Sequence, residues 1–312
     1  MNSDYNLKKI SSFQNNLYYF IGLSFLFLNK TRHSLAGYRT PRTFPVTQTQ
    51  RAIEYDINVV DNWMSYLRNY TDGKVSIEGK NILELGPGAD LGAGLITLQR
   101  GAEKYNAIDV NNLIRSVPEG FYNGLFSRIA SVSEGNKANI EYLRNQLTLT
   151  QSGKNDRLNY ICDKDFDLTV LDGENIDLVF SQAAFEHFDN MDKSLSQLSR
   201  IVRDGAVLIA VVDLSTHTRW LREIDPLNIY RFNDPVYNLM RFKGTPNRMR
   251  PSAYKRILED NGWGNVKIIP IRKLQGEYLP SVNGSLNGQF RDLSNSMDYL
   301  SILLCADKIP SK

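Results

Sequence analysis

The sequence contains little cysteine and no large excess of charge of either sign. Cys162 and Cys305 are its only cysteines, too few for a disulfide framework or a zinc site and ordinary in a reducing compartment. The 37 basic and 34 acidic residues leave a formal net charge of +3. This balance gives no support to nucleic-acid binding, which calls for a concentrated basic stripe. With 42% hydrophobic and 23% charged residues, the 312-residue chain is expected to fold rather than to be disordered.

Long apolar runs are also missing, with one short exception near the N-terminus. Residues 17–28 are mostly apolar and lie between two pairs of basic residues. As a helix they would span about 18 Å, short of the roughly 30 Å hydrocarbon core of a bilayer. Three interpretations are open: a helix packed on the core or on a partner, peripheral membrane contact, and a secretory signal cleaved after Ser34-Leu35-Ala36. We favour the first.

A short apolar run that ends in glycine marks the most informative part of the chain. Residues 82–85 stop at Gly86-Pro87-Gly88, and this pattern predicts a buried parallel strand followed by a tight turn. Residues 91–100 fit a crossover helix, and residues 105–108 fit a second strand that closes on Asp109. Ligands bind at the carboxyl ends of such strands, where glycine allows a ligand to approach the backbone.

The spacing of these glycines narrows the choice of ligand. A dinucleotide loop would read G-x-G-x-x-G, but Leu91 stands at the third glycine, and no Gly-Lys-Ser/Thr follows to make a P-loop. Asp109 comes 23 residues after Gly86, a distance at which a carboxylate can accept hydrogen bonds from both ribose hydroxyls. Glu84 adds a second carboxylate. Two carboxylates without a basic clamp suit a ligand with ribose and positive charge better than one with phosphates.

The stretch Glu84-Leu85-Gly86-Pro87-Gly88 resembles the first motif, acidic-x-Gly-x-Gly, of the class I S-adenosylmethionine-dependent methyltransferases. S-adenosyl-L-methionine carries a sulfonium, an ammonium and a carboxylate but no phosphate, so its chemistry fits, and its product is S-adenosyl-L-homocysteine. The resemblance assigns the adenine amino group to Asp163. The cofactor-binding residues that it implies are Glu84, Gly86, Pro87, Gly88, Asp109, Val110, Asp163 and Gln182.

The resemblance extends through the middle and the end of the chain. Further strands are predicted at 158–162, 177–181, 206–213, 263–271 and 297–306, with a helix at 191–202 and Arg203-Asp204-Gly205 as the turn that follows it. In the family, the last strand runs antiparallel between the fifth and sixth. The expected fold is therefore α/β, a doubly wound, Rossmann-like, seven-stranded sheet that is mostly parallel with an antiparallel last strand.

Two divisions of the chain are expected. A helical and irregular cap segment covers residues 1–75, including an irregular connector at 37–50, and a methyltransferase domain covers residues 76–312. Insertions interrupt the domain at about 111–157 and 215–250. The first holds two predicted helices with a break at 133–136, and it either covers the substrate or is a harmless surface insertion. The second is rich in arginine and aromatic residues. It forms either an acceptor-side helical lid or a solvated helical pair.

Catalysis needs less from the protein than cofactor binding does. Methyl transfer is an in-line displacement, so positioning can supply much of the rate, and a base is needed only if the acceptor loses a proton. His217, after the fifth strand, is the first candidate for that base. His187, beside Glu186 after the fourth strand, is the second, although the family pattern favours a supporting role near the cofactor. A mechanism without a base stays open, and no metal is expected.

The sequence thus predicts a cytoplasmic enzyme, with membrane association open, that transfers a methyl group to oxygen on a small-molecule or saccharide-like (glycan-type) acceptor. Export is disfavoured because the proposed cofactor is made and used inside cells. One alternative is a structural subunit that keeps the cofactor pocket without transferring a methyl group. A nicotinamide-dependent oxidoreductase is disfavoured by the missing third glycine. The acceptor molecule and the oligomeric state are not predicted.

Overall fold

The computed structural model describes residues 3–37, 44–118, 120–132 and 137–310. The strands are β1 (Ser3–Asn6), β2 (Asn81–Leu85), β3 (Lys104–Asp109), β4 (Leu158–Cys162), β5 (Ile176–Gln182), β6 (Val202–Asp213), β7 (Trp263–Gln275) and β8 (Tyr299–Lys308). The α-helices are α1 (Ser12–Ala36), α2 (Thr49–Tyr70), α3 (Gly92–Gln99), α4 (Gly120–Val132), α5 (Lys137–Gln151), α6 (Met191–Ile201), α7 (Arg219–Arg222), α8 (Asp234–Met240), α9 (Pro251–Asp260) and α10 (Tyr278–Asn283). The connector expected at 37–50 lies partly, and the break expected at 133–136 wholly, outside the described residues.

The strands form one sheet in the order β1-β7-β8-β6-β5-β2-β3-β4. The expected α/β sheet, mostly parallel with a late antiparallel strand, is confirmed, and β8 lies between β6 and β7 as predicted. The strand number is wrong by one among the described residues, because β1 adds a parallel edge strand beside residues 272–275 of β7. Its sequence, Ser-Asp-Tyr-Asn, has no alternating apolar pattern that could predict a strand.

One boundary in the middle of the chain also differs from its prediction. The helix expected to reach residue 202 ends at Ile201, and β6 begins at once at Val202. The turn expected at Arg203-Asp204-Gly205 is instead part of the exposed start of this strand. Gly205 has φ +76° there, a conformation that glycine adopts without strain.

The chain forms two compact units, each made of three segments. Unit 1 comprises Met1–Arg39, Ala183–Lys193 and Val211–Leu304, and unit 2 comprises Thr40–Gln182, Ser194–Ala210 and Cys305–Lys312. The expected cap boundary at residue 75 stays a prediction. In unit 2, Trp63 of α2 is fully buried and stacks on Phe180 of β5, with ring centroids 4.8 Å apart.

The core of unit 1 is rich in aromatic residues from the second predicted insertion and from the segment before β8. Its buried members include Tyr230, Phe232, Tyr237, Tyr278 and Phe290, and Tyr18, Tyr19 and Leu23 of α1 pack against it. The side-chain amide of Asn228 donates to the Tyr18 carbonyl at 2.9 Å. The preferred interpretation of residues 17–28, a helix packed on the core, therefore matches the contacts of this face of α1.

The opposite face of α1 is apolar and exposed. Its large exposed side chains recur at helical spacing: Phe13, Leu17, Phe20, Phe27, Leu28 and Leu35. Ser11 caps the helix by accepting from the Gln14 amide, and the Gln14 side chain accepts from the Ser11 amide in return. Among the described residues, none of the helices combines the length and apolar character that a bilayer crossing requires. Contact of residues 17–28 with a membrane surface stays a prediction.

Candidate functional site

The glycine loop of unit 2 follows β2 and lies beside the end of β3. The parallel register pairs Leu85 with Ile108, so the next residues along each strand, Gly86 and Asp109, are neighbours. The Gly86 amide donates to the Ile108 carbonyl at 3.0 Å. Gly86 and Gly88 have φ of +75° and +80°, values that a residue with a Cβ adopts only with strain. The loop therefore turns sharply at the carboxyl ends of the strands, as the sequence predicts.

Asp109 is held in this turn by backbone amides. Its carboxylate accepts from the Gly88 amide at 3.3 Å and from the Asn111 amide at 2.9 Å. Burial raises the pKa of Asp109 to about 6, although the amides of Asn111, Gly88 and Val110 oppose the increase. At neutral pH the carboxylate is ionised, fixed in orientation and able to accept further hydrogen bonds. These are the properties that recognition of two ribose hydroxyls requires.

Three more carboxylates lie close to the glycine loop. Glu84 is buried on β2 and accepts a hydrogen bond from the Tyr105 hydroxyl. Asp90 accepts from the Gly92 amide at 2.8 Å. Asp56, from α2, shares a side-chain hydrogen bond with Asp90, and its Oδ2 has no hydrogen-bond partner among the described residues. Burial, followed by repulsion from neighbouring carboxylates, raises the pKa of both Asp56 and Glu84.

This acidic group explains why the loop suits a cationic ligand. A bound positive charge would relieve the repulsion between buried carboxylates, whereas a phosphate would add to it. The carboxylates near the loop thus fit a cofactor with a sulfonium and an ammonium. Asp56 and Asp90 are the residues that sequence reasoning missed. The sequence does contain a signal for Asp56. Ile53, Val60 and Leu67 recur at helical spacing, and Asp56, three positions after Ile53, lies on the same face of α2, which the structure buries.

The remaining predicted cofactor residues lie at the ends of adjacent strands of unit 2. Register places Asp109 opposite Cys162, so Asp163 follows at the end of β4, where its amide donates to the Asp109 carbonyl at 2.9 Å. One Asp163 oxygen already accepts from the amides of Asp165 and Asp167, which leaves the other for a ligand. Pro87, Val110 and Gln182 are each half-buried. The fold therefore collects all eight predicted residues at one sheet edge.

The first predicted insertion contains a cavity of about 460 Å³ in unit 2. Such a volume is in the range of small-molecule sites. The cavity is lined by apolar and aromatic residues together with two arginines: Ile114, Pro118, Tyr122, Phe126, Arg115 and Arg144. The guanidinium of Arg144 lies 4.5 Å from the centre of the Phe126 ring. The interpretation of residues 111–157 as substrate-covering structure thus gains a physical basis.

Three arginines of the second insertion have internal partners instead. Arg231 is fully buried and forms a bidentate pair with Asp225. Arg248 pairs with Asp234, and Arg250 donates to the carbonyls of Asn295, Ser296 and Tyr299. These side chains are committed to structure in unit 1, so they do not support recognition of an anionic acceptor by this segment.

Unit 1 brings the two candidate catalytic histidines together. His187 follows β5 and His217 follows β6, and their ring centroids are 4.7 Å apart at an angle of 80°. The Nδ1 atom of His187 lies 2.6 Å from the Gly244 carbonyl, and that of His217 lies 3.1 Å from the Ser215 carbonyl. A carbonyl oxygen only accepts, so each Nδ1 carries the proton and each Nε2 keeps a lone pair.

Burial controls the protonation of this group. Desolvation lowers the pKa of His187. Desolvation, with repulsion from His187, lowers the pKa of His217 to about 4. Both rings are therefore neutral at pH 7, but a group with such a low pKa is a weak proton acceptor. Burial and the nearby Asp213 raise the pKa of Glu186 well above its usual range. Its Oε1 lies 3.8 Å from Nε2 of His217.

Comparisons with known proteins bear on the family. A family model described as a methyltransferase domain matches residues 120–210, a segment that begins after the glycine loop. No curated protein matches the sequence. Among solved structures, the chain is similar to the CurJ carbon methyltransferase, with 14% identity over 95% of this chain and 68% of that chain and a TM-score of 0.46.

Two further solved structures show similarity of the same order. An S-adenosylmethionine-dependent methyltransferase from Mesorhizobium loti is 12% identical over 77% of this chain and 95% of that chain, with a TM-score of 0.40. A geranyl diphosphate methyltransferase in complex with S-adenosylmethionine is 12% identical over 82% and 85%, with a TM-score of 0.42.

The family match and the glycine loop come from different parts of the chain. The match covers residues 120–210, and the loop at residues 84–88 independently supplies the acidic-x-Gly-x-Gly motif and its fixed carboxylates. Both indicate the same chemistry, which confirms the resemblance seen in the sequence. Residues 120–210 thus match a methyltransferase domain, and the glycine loop that precedes them has the carboxylates and the turn that S-adenosylmethionine requires.

Proposed function

We propose that this methyltransferase acts on an oxygen atom of a small-molecule or saccharide-like acceptor. S-adenosylmethionine bound at the glycine loop would supply an electrophilic methyl group, which the acceptor hydroxyl would take up as it gives its proton to a base or to solvent, with S-adenosylhomocysteine as the other product. The observation that carries the cofactor half of the proposal is Asp109, a buried carboxylate that backbone amides hold at the glycine loop. It accepts the ribose hydroxyls, while Glu84, Asp56 and Asp90 favour the cationic part of the cofactor.

The acceptor half of the proposal draws on the cavity in residues 111–157. Its size supports a small molecule rather than a macromolecule. Aromatic rings at Tyr122 and Phe126 suit the face of a ring or a sugar, and Arg115 suits an acidic or hydroxyl group. His217 is the first candidate to take the proton of a hydroxyl acceptor, through the lone pair on its Nε2, although its lowered pKa makes it a weak proton acceptor; His187 is the second.

Calorimetric titration of S-adenosylhomocysteine tests the cofactor half. The wild type should bind at micromolar strength. Asp109→Ala should weaken binding by about 1.5–3 kcal/mol, the loss expected when hydrogen bonds to a charged group are removed. Asp172→Ala is a matched control, because Asp172 is an exposed aspartate of the same unit, and it should bind like the wild type. Binding of NADH without binding of S-adenosylhomocysteine would show that the loop takes a nicotinamide cofactor.

Turnover separates an enzyme from a cofactor-binding structural subunit. The protein is incubated with S-adenosylmethionine and pools of small hydroxyl-bearing metabolites, and S-adenosylhomocysteine formation is measured. His217→Ala should lower kcat on the acceptor that is found while leaving cofactor affinity unchanged. Cofactor binding without acceptor-dependent turnover would favour the structural subunit. Equal kcat for wild type and His217→Ala would remove His217 as the base.

A further inference from the structure

Three side chains of unit 1 form a cluster with the composition of a metal site. Glu186, His187 and His217 each present one potential ligand atom, and these atoms all lie within 4.8 Å of one another. Glu186 is 2% exposed, and the His217 side chain is 30% exposed. The cluster thus joins a buried carboxylate to an imidazole that solvent, or an ion arriving from solvent, can reach.

The buried carboxylate gives an independent indication of a missing partner. Neither Oε1 nor Oε2 of Glu186 has a hydrogen-bond partner in the part of the chain that the structure describes. The backbone amides of Glu186 and Asp213 oppose its pKa increase, but neither reaches hydrogen-bonding geometry with the carboxylate. Leaving such a group buried and unpaired is unfavourable, and Nε2 of His217 lies 3.8 Å from Oε1.

The neighbouring charges do not fill this role. Asp213 is an acceptor like Glu186, and it is already paired with the guanidinium of Arg222 at 2.5 Å. The Asn247 amide donates to the backbone carbonyl of Glu186 rather than to its carboxylate. A cation between Glu186 and the two rings would therefore satisfy a group that no side chain of the cluster can satisfy.

Both histidines are oriented as metal ligands are. A ligating imidazole typically donates its other ring N–H to a backbone carbonyl or a carboxylate, and this bond fixes the ring and its tautomer. Gly244 supplies such a carbonyl to His187, and Ser215 supplies one to His217. The nitrogen left free on each ring is Nε2, whose lone pair is the donor that a metal requires.

We propose that Glu186, His187 and His217 bind a divalent transition-metal ion of the zinc class. Two imidazole nitrogens and one carboxylate oxygen are a ligand set that Zn²⁺ accepts, whereas Mg²⁺ prefers oxygen ligands alone. Bonds of about 2.0–2.1 Å in tetrahedral geometry separate ligand atoms by roughly 3.3 Å. The 3.8 Å between Oε1 of Glu186 and Nε2 of His217 therefore has to shorten only slightly, and no two ligand atoms of the cluster are more than 4.8 Å apart.

Three protein ligands leave one position of a tetrahedral ion open. An ion there could hold an oxygen atom of a small molecule. If this molecule is the acceptor of the proposed function, the ion would activate its oxygen at the residues where His217 is otherwise the candidate base. Binding of the ion itself depends only on the three side chains and not on the proposed function. Zinc affinity and S-adenosylhomocysteine affinity can therefore fail separately.

The test is a zinc titration of the full chain after chelator treatment and dialysis, by calorimetry and by competition with a chromophoric chelator. The wild type should bind one Zn²⁺ with a dissociation constant in the micromolar range or below. Glu186→Gln and His217→Asn should each weaken zinc binding by more than about 100-fold. Loss of a group that only hydrogen-bonds to a metal ligand typically costs roughly 10- to 100-fold. His33→Asn is the matched control, because His33 is the one histidine of the chain outside the cluster, and it should bind zinc like the wild type.

A second readout uses Co²⁺ in place of Zn²⁺. The wild type and His33→Asn should develop the visible absorption of a four-coordinate cobalt site, and the two cluster variants should not. If Glu186→Gln does not fold, His217→Asn carries the test, because that ring is half-exposed. The proposal is overturned if the wild type does not bind zinc at micromolar strength, or if the cluster variants bind as tightly as His33→Asn.

Discussion

Asp225 and Glu186 are buried carboxylates of the same unit, with opposite surroundings. Asp225 accepts two hydrogen bonds from Arg231 at 2.9 Å, one from the Tyr278 hydroxyl at 2.6 Å and one from the Asn228 amide at 2.7 Å. Glu186 is 2% exposed, and no donor within the described residues reaches its oxygens in hydrogen-bonding geometry. Donors saturate the Asp225 carboxylate, whereas the Glu186 carboxylate has the backbone amides of Glu186 and Asp213 nearby but accepts a hydrogen bond from neither.

The difference separates structural carboxylates from binding ones. Arg231 also donates to Asn15 of α1, so Asp225 anchors a network that joins the second insertion, α10 and α1. Its acceptor capacity is used within the protein. Glu186 keeps all of its capacity, which stabilises nothing until a proton or a cation arrives. Asp109 of unit 2 is intermediate, because amides fix its orientation but leave it able to accept from a ligand.

The largest effect is expected at the saturated site. Asp225→Ala leaves the Arg231 guanidinium buried without its counter-charge, and breaking such a pair typically costs about 3–5 kcal/mol. Urea unfolding followed by tryptophan fluorescence measures the loss. In the matched variant Glu186→Gln no donor is orphaned, so no comparable loss is expected. A loss below about 1 kcal/mol at Asp225 would mean that the network adds little stability, and the contrast would fail.

The intermediate site should show a pH dependence of ligand binding. Asp109 must be ionised to accept hydrogen bonds, and its pKa is raised to about 6. Protons therefore compete with the cofactor below pH 6. S-adenosylhomocysteine affinity should fall about tenfold between pH 7.5 and pH 5, or roughly 1.4 kcal/mol.

Other raised carboxylates near the glycine loop could titrate in the same range, so a control is needed. Asp109→Asn cannot ionise and should bind more weakly at pH 7.5 but lose this pH dependence. Calorimetry at four pH values measures both proteins. An unchanged slope in Asp109→Asn would assign the titration to Glu84, Asp56 or Asp90 instead.

The central strands were predictable because burial on both faces leaves continuous apolar runs in the sequence. Residues 82–85 and 105–108 are mostly apolar, each with one polar residue, Glu84 and Asn106, and the glycines and Asp109 that follow them fix the edge where ligands bind. The edge strand β1 was not predictable, since its four residues have no alternating apolar pattern and their strand pairing comes from β7, far along the chain. Local pattern thus locates the glycine loop but not every strand around it.

Side-chain partners were the part that sequence could not supply. The arginines of residues 215–250 suit either an acceptor-side lid or a solvated helical pair by sequence, and only the structure shows that Arg231 is paired with Asp225, six residues earlier. The Glu-His pair at 186–187 is visible in the sequence, but that the Glu186 carboxylate lacks a hydrogen-bond partner among the described residues depends on every neighbour that the fold places there. The sequence shows which residue types a site contains, whereas only the structure shows which of their polar atoms lack a hydrogen-bond partner.

The smallest effect is expected at the unsatisfied carboxylate itself. In metal-free protein at pH 7.5, Glu186→Gln replaces a carboxyl group, whose charged form burial disfavours, by an amide of the same shape. The glutamine amide still lacks partners, so the gain in unfolding free energy should be about 1 kcal/mol or less. Urea unfolding of both proteins, with and without Zn²⁺, measures it. Zinc should stabilise the wild type and not the variant, because a ligand stabilises only the folded state that binds it, so the order of stability reverses. A variant clearly less stable than the wild type without zinc would show that the Glu186 carboxylate has donors in solution.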